Sequence, residues 1–133
     1  MKLSLIICLI ISQVFFIATI SCSENDDKPD TCAKKQTHLN QLRKNIEDLA
    51  QTSICNADSE CRYVAFGIKP CGGPWEYLIY TTSIDTLELK NLVIEYNNLE
   101  AKFNQECDAI SDCMMVMPPT SFNCTNNSCI PIY

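Results

Sequence analysis

The cysteines are the residues whose type and spacing say most about the chemistry of this chain. The sequence holds ten of them in 133 residues, and eight fall between positions 32 and 129. An even number of cysteines in a small exported domain is typical of a disulfide framework. The sequence has no CxxC pair, and the short gaps between neighbouring cysteines do not suit a zinc site. We therefore predict disulfides, and no metal, at Cys32, Cys55, Cys61, Cys71, Cys107, Cys113, Cys124 and Cys129.

Catalysis has little support, because the chain offers a single imidazole, that of His38. A Ser/His/Asp or Cys/His arrangement would have to form around this one residue. The acidic residues are spread along the chain without the local pair that a glycosidase needs. We predict no catalytic residue and no cofactor, and a small hydrolase that uses scattered acids is the weaker alternative.

The composition limits the size of the protein and the class of its partners. A length of 133 residues suits one domain and is short for two domains. The formal net charge of −6 argues against a nucleic-acid partner, because phosphate recognition needs clustered Lys and Arg. The three glycines form no phosphate-binding loop.

The first 21 residues have the pattern of a secretory signal peptide. Lys2 supplies a positive charge, and residues 3–20 are apolar at all but four positions. A segment of this length would also span a bilayer as an anchor helix. No basic cluster follows to stop translocation, so we expect residues 1–21 to be removed together with Cys8.

The residues after the apolar segment resemble the processing site of bacterial lipoproteins. The small residue Ser21 precedes Cys22, although Thr19 stands where leucine is usual, and residues 23–30 carry four acids and one lysine. Many Gram-negative surface lipoproteins have such an acidic tether. The resemblance implies lipidation of Cys22, a tether at residues 22–31, and anchoring at the bacterial outer membrane or cell surface. Plain secretion, with cleavage after Ser21 or Ser23, is the alternative.

Two helices with apolar stripes would position the cysteines. Residues 33–52 carry the pairs Arg43–Glu47 and Lys44–Asp48 on the outer side of a stripe formed by Leu39, Leu42, Ile46 and Leu49. Asp85 and Glu88 predict a capped start for the helix over residues 86–106. Its stripe consists of Leu89, Leu92, Val93, Tyr96, Leu99 and Phe103.

Two strand-like segments follow each helix, which suggests an internal repeat. The first half has them at residues 62–69 and 76–82. The second half has residues 114–117 and a terminal strand that ends at Tyr133. We predict an α+β fold: a small disulfide-rich single domain over residues 32–133, in α-β-β-α-β-β order, with both helices on one face of a mainly antiparallel sheet.

Local geometry suggests a set of disulfide pairs. Asn126-Asn127 suits a two-residue type I′ turn, which places Cys124 opposite Cys129 and allows a bond between them. The short loops 55–61 and 107–113 suggest that the cysteines at their two ends pair with each other. Elimination then leaves Cys32 with Cys71, although eight cysteines allow many other pairings.

Two segments are candidate binding surfaces. The turn from Lys69 to Trp75 is stiffened by proline and pinned by Cys71, and aromatic anchors on rigid loops contribute strongly to interfaces. Its candidate contacts are Gly72, Gly73, Pro74, Trp75 and Tyr77. A core position for Trp75 is the alternative. The sequence CGGPWEY is similar to a segment of small uncharacterised exported cysteine-rich bacterial proteins, which implies no activity.

The second candidate surface follows the methionines at 114, 115 and 117, where Pro118 and Pro119 stiffen the chain. These two prolines are the candidate contacts. A strand followed by an irregular turn is the alternative, and exposed methionines would suit an adaptable binding patch.

These features together predict a non-catalytic exported lipoprotein. Its N-terminal lipid would tether it to the membrane, and its disulfide-stabilised domain would bind an unidentified protein or envelope ligand. The alternative is a secreted or surface protease inhibitor, because stiff loops lose little entropy on binding. Its contact loop would run from Lys69 to Trp75 or from Met117 to Thr120. Lys69 and Met117 each precede proline, and proteases cleave such bonds poorly.

Overall fold

The computed structural model describes residues 27–133, so the predicted signal peptide and Cys22 lie outside the described residues. The predicted α+β class and the α-β-β-α-β-β order are confirmed. The elements are α1 (Asp27–Gln51), β1 (Cys61–Phe66), β2 (Glu76–Thr81), α2 (Thr86–Glu106), β3 (Ser121–Thr125) and β4 (Ser128–Ile132).

Helix α1 begins earlier than expected, at Asp27 instead of near Ala33. Its first turns therefore contain part of the segment predicted as a tether. Acidic side chains near a helix N-terminus are favoured by the helix dipole. Asp30 also forms an ion pair with Lys34, whose Nζ lies 2.6 Å from the carboxylate. Residues 29–31 are exposed, so this end of α1 lies outside the packed core.

The core forms where the apolar stripes of the two helices meet the first hairpin. Its buried members are Leu39, Ile46, Ala50, Phe66, Tyr80, Leu89, Val93 and Tyr96. The predicted cap of α2 is present, because the Asp85 carboxylate accepts hydrogen bonds from the backbone N–H groups of Leu87 and Glu88, at 3.0 and 2.9 Å. This cap satisfies two amide groups that have no partner inside the helix.

The four strands form two separate antiparallel hairpins in the described residues, not one continuous sheet. The β1–β2 hairpin pairs Cys61 with Thr81 and Phe66 with Glu76, and it packs against both helices. The β3–β4 hairpin contacts β2 through β4. Pro131 of β4 has no amide hydrogen, so β4 lacks a backbone donor at this position.

The β3–β4 turn follows the predicted register. Asn126 and Asn127 have positive φ angles of 52° and 62°, as a type I′ turn requires. Cys124 lies opposite Cys129.

The predicted strand at residues 114–117 is wrong, because the chain from 108 to 119 is irregular. Asp108 and Cys113 adopt positive φ angles of 50° and 55°, which interrupt an extended conformation. Pro118 and Pro119 lack the N–H groups that a strand would use. The second pair of strands is instead β3 and β4. Cys113 is therefore not equivalent to Cys61, which opens β1.

The predicted disulfide pairs are also wrong, although all eight cysteines are bonded. The pairs are Cys32–Cys107, Cys55–Cys124, Cys61–Cys129 and Cys71–Cys113. Each bond joins distant parts of the chain, 42 to 75 positions apart. Cys124 and Cys129 face each other across the hairpin, but each bonds to a cysteine near β1. On the chain-entropy model, closing loops this long stabilises the fold by about 4 kcal/mol per bond, compared with roughly 2 kcal/mol for the short loops expected.

Candidate functional site

The turn between β1 and β2 has the stiffness that its sequence predicts. Lys69 N–H donates to the Gly73 carbonyl at 2.9 Å, and Gly72 N–H donates to the Lys69 carbonyl at 2.9 Å. Gly67 has a φ of 76°, and a Cβ at this position would lie 2.6 Å from Cδ1 of Trp75. Glycine at 67 therefore allows the indole to pack directly on the backbone.

The side chain of Lys69 is buried, with 5% exposure, although the turn itself is on the surface. Its ammonium donates to the Asp112 carboxylate at 3.0 Å and to the Met114 carbonyl at 2.6 Å. It also lies 5.1 Å from the centre of the Trp75 ring, a cation–π distance. Hydrogen bonding from Lys69 lowers the pKa of Asp112 below its ordinary value. Lys69 is thus used internally and does not project as an inhibitor's contact residue would.

The structure brings the two candidate surfaces together. The Cys71–Cys113 disulfide joins the 69–75 turn to the irregular segment that follows α2, and the contacts of Lys69 reinforce this junction. Gly72 and Gly73 are exposed, whereas Pro74 and Pro118 are half-buried and Pro119 is buried. Pro119 is thus a packing residue and not a surface contact.

The predicted aromatic contacts separate into two places. Trp75 is half-buried and lines a cleft between the helices and the turn. Tyr77 points elsewhere and meets Tyr63 edge-on, with ring centres 5.4 Å apart. Tyr63 in turn contacts Phe122 of the second hairpin. Only Trp75 among the predicted contacts belongs to the cleft.

The cleft has a volume of about 520 Å³, a size typical of small-molecule sites. Helix α1, helix α2 and the turn each contribute a wall. The lining residues are Gln36, Asn40, Arg43, Trp75, Glu76, Tyr96, Glu100, Phe103, Asn104, Ala109 and Ile110. Three aromatic side chains and several amide and charged groups therefore face one space.

Arg43 lies at the centre of the polar groups in the cleft. Its Nη1 donates to Glu76 at 2.6 Å and to Glu47 at 3.1 Å, and its Nε donates to the Tyr96 hydroxyl at 3.2 Å. The guanidinium also lies 4.5 Å from the centre of the Phe66 ring. Burial lowers the pKa of Arg43, but the hydrogen bonds to Tyr96 and Glu76 outweigh it and raise the pKa above its ordinary value. The guanidinium stays charged.

Tyr96 connects Arg43 to the turn through Glu100. Its hydroxyl donates to Glu100 at 2.9 Å, and the other oxygen of Glu100 accepts from the Ile68 backbone N–H at 2.5 Å. Burial raises the pKa of Tyr96 to about 12, although the hydrogen bond from Arg43 opposes this. Residues with shifted pKa values beside a cleft are markers of functional sites.

The sequence pattern did not identify Arg43, Tyr96 and Glu100 as parts of a site. The predicted pair of Arg43 with Glu47 exists, yet Arg43 is half-buried beneath the cleft and not on the outer side of α1. The sequence does place Arg43 four residues after Leu39, which indicates a position beside the apolar stripe of α1. In α2, Glu100 comes four residues after Tyr96, a spacing that allows the carboxylate to contact the tyrosine hydroxyl.

His38, the single imidazole, is exposed on α1. It lies at the edge of a smaller groove of about 250 Å³ that Leu39, Leu99 and Phe103 also line. All eight cysteines of residues 27–133 are in disulfides, so His38 has no thiol to activate there. No helix in the part of the chain described is both long and apolar enough to cross a bilayer.

Comparison with protein-family models, with curated proteins and with solved structures found no match for this chain.

Proposed function

We propose that this protein is a non-catalytic exported lipoprotein whose disulfide-braced domain binds a small polar ligand in the Trp75 cleft. The observation that carries the binding role is the convergence of Trp75, Arg43 and Tyr96 on a single space of about 520 Å³. A pocket with aromatic walls, a few convergent polar groups and shifted pKa values is the expected form of a ligand site.

The cysteines support export. Eight of them form four disulfides, and such bonds persist in oxidising compartments outside the cytosol. The lipid anchor is proposed from Cys22 and the acidic residues that follow it.

The chemistry of the cleft favours a ligand without a strong net charge. Arg43 already pairs with Glu47 and Glu76, and Glu100 accepts two hydrogen bonds. A charged ligand would have to displace one of these partners. A neutral compound with hydroxyl or amide groups instead uses the amides of Gln36, Asn40 and Asn104, while its apolar face packs on Trp75 and Phe103.

Metabolic labelling tests the anchor. Cells that express the full chain are given radiolabelled palmitate, and the N-terminal peptide of the product is weighed. We expect label on the wild type and on Cys8→Ser, because Cys8 lies in the predicted signal peptide. We expect none on Cys22→Ser. An unmodified N-terminus beginning at residue 22 or 24 would contradict the lipoprotein proposal and support plain secretion.

The emission of Trp75, the only tryptophan, tests the binding role. The protein is titrated with a panel of monosaccharides, amino acids and dipeptides. A ligand in the cleft shifts the emission, and Gln36→Ala weakens its affinity. Gln41→Ala is the matched control, because both glutamines lie on α1 and each donates to an asparagine four residues later. Only Gln36 lines the cleft. Equal effects of the two variants would contradict this site.

The protease inhibitor remains a second candidate because of Met117. Its side chain is 61% exposed on a segment fixed by disulfides at Cys113 and Cys124. Titration against a panel of serine and cysteine proteases tests it, with Met117→Asp as the variant that would abolish inhibition. No inhibition by the wild type at micromolar concentration would remove this candidate.

A further inference from the structure

Four large apolar side chains are exposed on the irregular segment after α2. Ile110 is 90% exposed, Met115 85%, Met114 68% and Met117 61%. We refer to these four residues as the methionine patch. Their exposure within eight residues of sequence is unusual for large apolar side chains and indicates a site of contact with a partner or a membrane.

The methionine patch lies at the end of the domain where α1 begins. The Cys32–Cys107 disulfide joins the start of α1 to the end of α2, three residues before Ile110. Ile110 and Gln36 of α1 also line the same cleft. The Cys71–Cys113 bond holds the next residues beside the 69–75 turn. That turn lies beside the end of α2, because Asn104 of α2 donates a hydrogen bond to the Ile68 carbonyl at 2.7 Å.

The same end of the domain is the one nearest to Cys22. Five residues of chain span at most about 18 Å, which limits the distance from Cys22 to Asp27. The first turns of α1, up to Cys32, add about 8 Å along the helix axis. Helix α1 ends at Gln51, so its opposite end lies roughly 30 Å beyond Cys32 along the helix axis.

We propose that the methionine patch docks on the lipid bilayer to which the protein is anchored. This inference rests on the proposed lipidation of Cys22, because the short link holds this end of the domain against the membrane. Methionine side chains are flexible and apolar, so they adapt to disordered acyl chains. The domain is thereby oriented, with the two hairpin ends that carry Cys61 and Cys124 pointing away from the membrane.

The charges around the patch indicate that apolar contact drives this docking. No Lys or Arg follows Lys102 in the sequence. The acids beside the patch include Glu106 and Asp112, which pair with Lys35 and Lys69. Anionic lipids attract clustered basic residues, which this segment lacks. The domain therefore docks on zwitterionic lipid, and added anionic lipid does not strengthen its docking.

Fluorescence quenching by brominated lipid tests the proposal on the full lipidated chain. The protein is reconstituted into phosphatidylcholine vesicles with brominated acyl chains, which quench indoles that reach the hydrocarbon. The wild type gives the emission of Trp75 as the baseline. We compare Met115→Trp in the patch with Leu87→Trp, which is 68% exposed in the first turn of α2 at the opposite end of the helix.

The expected result is a loss of the added emission in Met115→Trp and none in Leu87→Trp. Lipidated protein that floats with the vesicles but shows no quenching in Met115→Trp overturns the docking and leaves the proposed anchor intact. In that case a protein partner is the better occupant of the patch. Equal quenching in both variants also overturns it. Absence of the lipid from the N-terminal peptide overturns the anchor and the docking together.

Discussion

The ammonium of Lys69 lies 3.0 Å from the carboxylate of Asp112, across 43 residues of sequence. This contact and the adjacent Cys71–Cys113 bond fix the turn between β1 and β2 to the segment after α2. The pair is asymmetric, since the Lys69 side chain is 5% exposed and that of Asp112 is 57% exposed. Replacing Lys69 and replacing Asp112 should therefore lower the free energy of unfolding by different amounts.

Lys69→Met is expected to destabilise the domain by about 2 kcal/mol, because it leaves the Met114 carbonyl without its buried donor. Asp112→Asn is expected to reduce the free energy of unfolding by less than Lys69→Met does, as is usual for an exposed partner in an ion pair. Urea unfolding with the disulfides intact measures both. A larger loss in Asp112→Asn than in Lys69→Met would contradict the internal role of Lys69.

Acid is expected to remove the contribution of Asp112. Hydrogen bonding from Lys69 lowers the pKa of this carboxyl from its ordinary value of 3.8. A lowered pKa in the folded state means that the contribution is present above pH 3.8 and is lost as the pH falls through the lower, folded-state value. Melting temperatures from pH 6 to pH 2 test this. The advantage of the wild type over Asp112→Asn should disappear at the acid end, and a constant advantage would contradict it.

Alkali is expected to act through Tyr96. Burial raises the pKa of this phenol from 10.0 to about 12, so the folded state favours the neutral form. Its contribution to the free energy of unfolding is present below pH 10 and is lost as the pH rises toward 12. Near neutral pH, Tyr96→Phe should cost about 1–2 kcal/mol, because Arg43 and Glu100 lose the hydroxyl between them.

The test of Tyr96 is the difference in unfolding free energy between the wild type and Tyr96→Phe, followed from pH 8 to pH 12. The difference should shrink across the upper part of this range. Tyr133→Phe serves as the control, since Tyr133 is 73% exposed. A difference that stays constant with pH would show that Tyr96 titrates normally.

Peptide mapping should separate the cysteines into two groups. Trypsin and cyanogen bromide, applied without reduction, cut after basic residues and after Met114, Met115 and Met117. The structure predicts one linked set with Cys32, Cys71, Cys107 and Cys113, and a second set with Cys55, Cys61, Cys124 and Cys129. Peptides 45–62, 103–114 and 118–133 released singly would instead indicate local pairing. Reduction before the digestion is the control and should release every peptide.

Features set by neighbouring residues could be predicted from the sequence. The cap at Asp85 and the turn at Asn126 and Asn127 depend on interactions within a few positions, and both are present. The α+β class follows from apolar periodicity, which each segment carries by itself. The early start of α1 at Asp27 differs from the predicted tether, because acidic residues suit a helix N-terminus as well as an exposed linker.

Features set by distant residues could not be predicted in this way. The partner of Cys124 depends on how the second hairpin packs against β2. No feature of the sequence near Cys124 predicts that packing. The same holds for Arg43, whose contacts with Glu76 and Tyr96 arise from three different elements. Trp75 was identified because glycine and proline mark its turn locally, whereas the cleft beside it exists only after the helices pack.

The arrangement of the disulfides also makes the domain tolerant of a cut in the exposed segment between Cys113 and Cys124. Residues 114–117 are irregular and largely exposed, which is what a protease requires of a cleavage site. A cut there divides the chain after Cys107 and Cys113 and before Cys124 and Cys129. The N-terminal piece contains the partners of both later cysteines, at Cys55 and Cys61. A nicked molecule therefore keeps its C-terminal hairpin covalently attached, and only reduction releases the fragment.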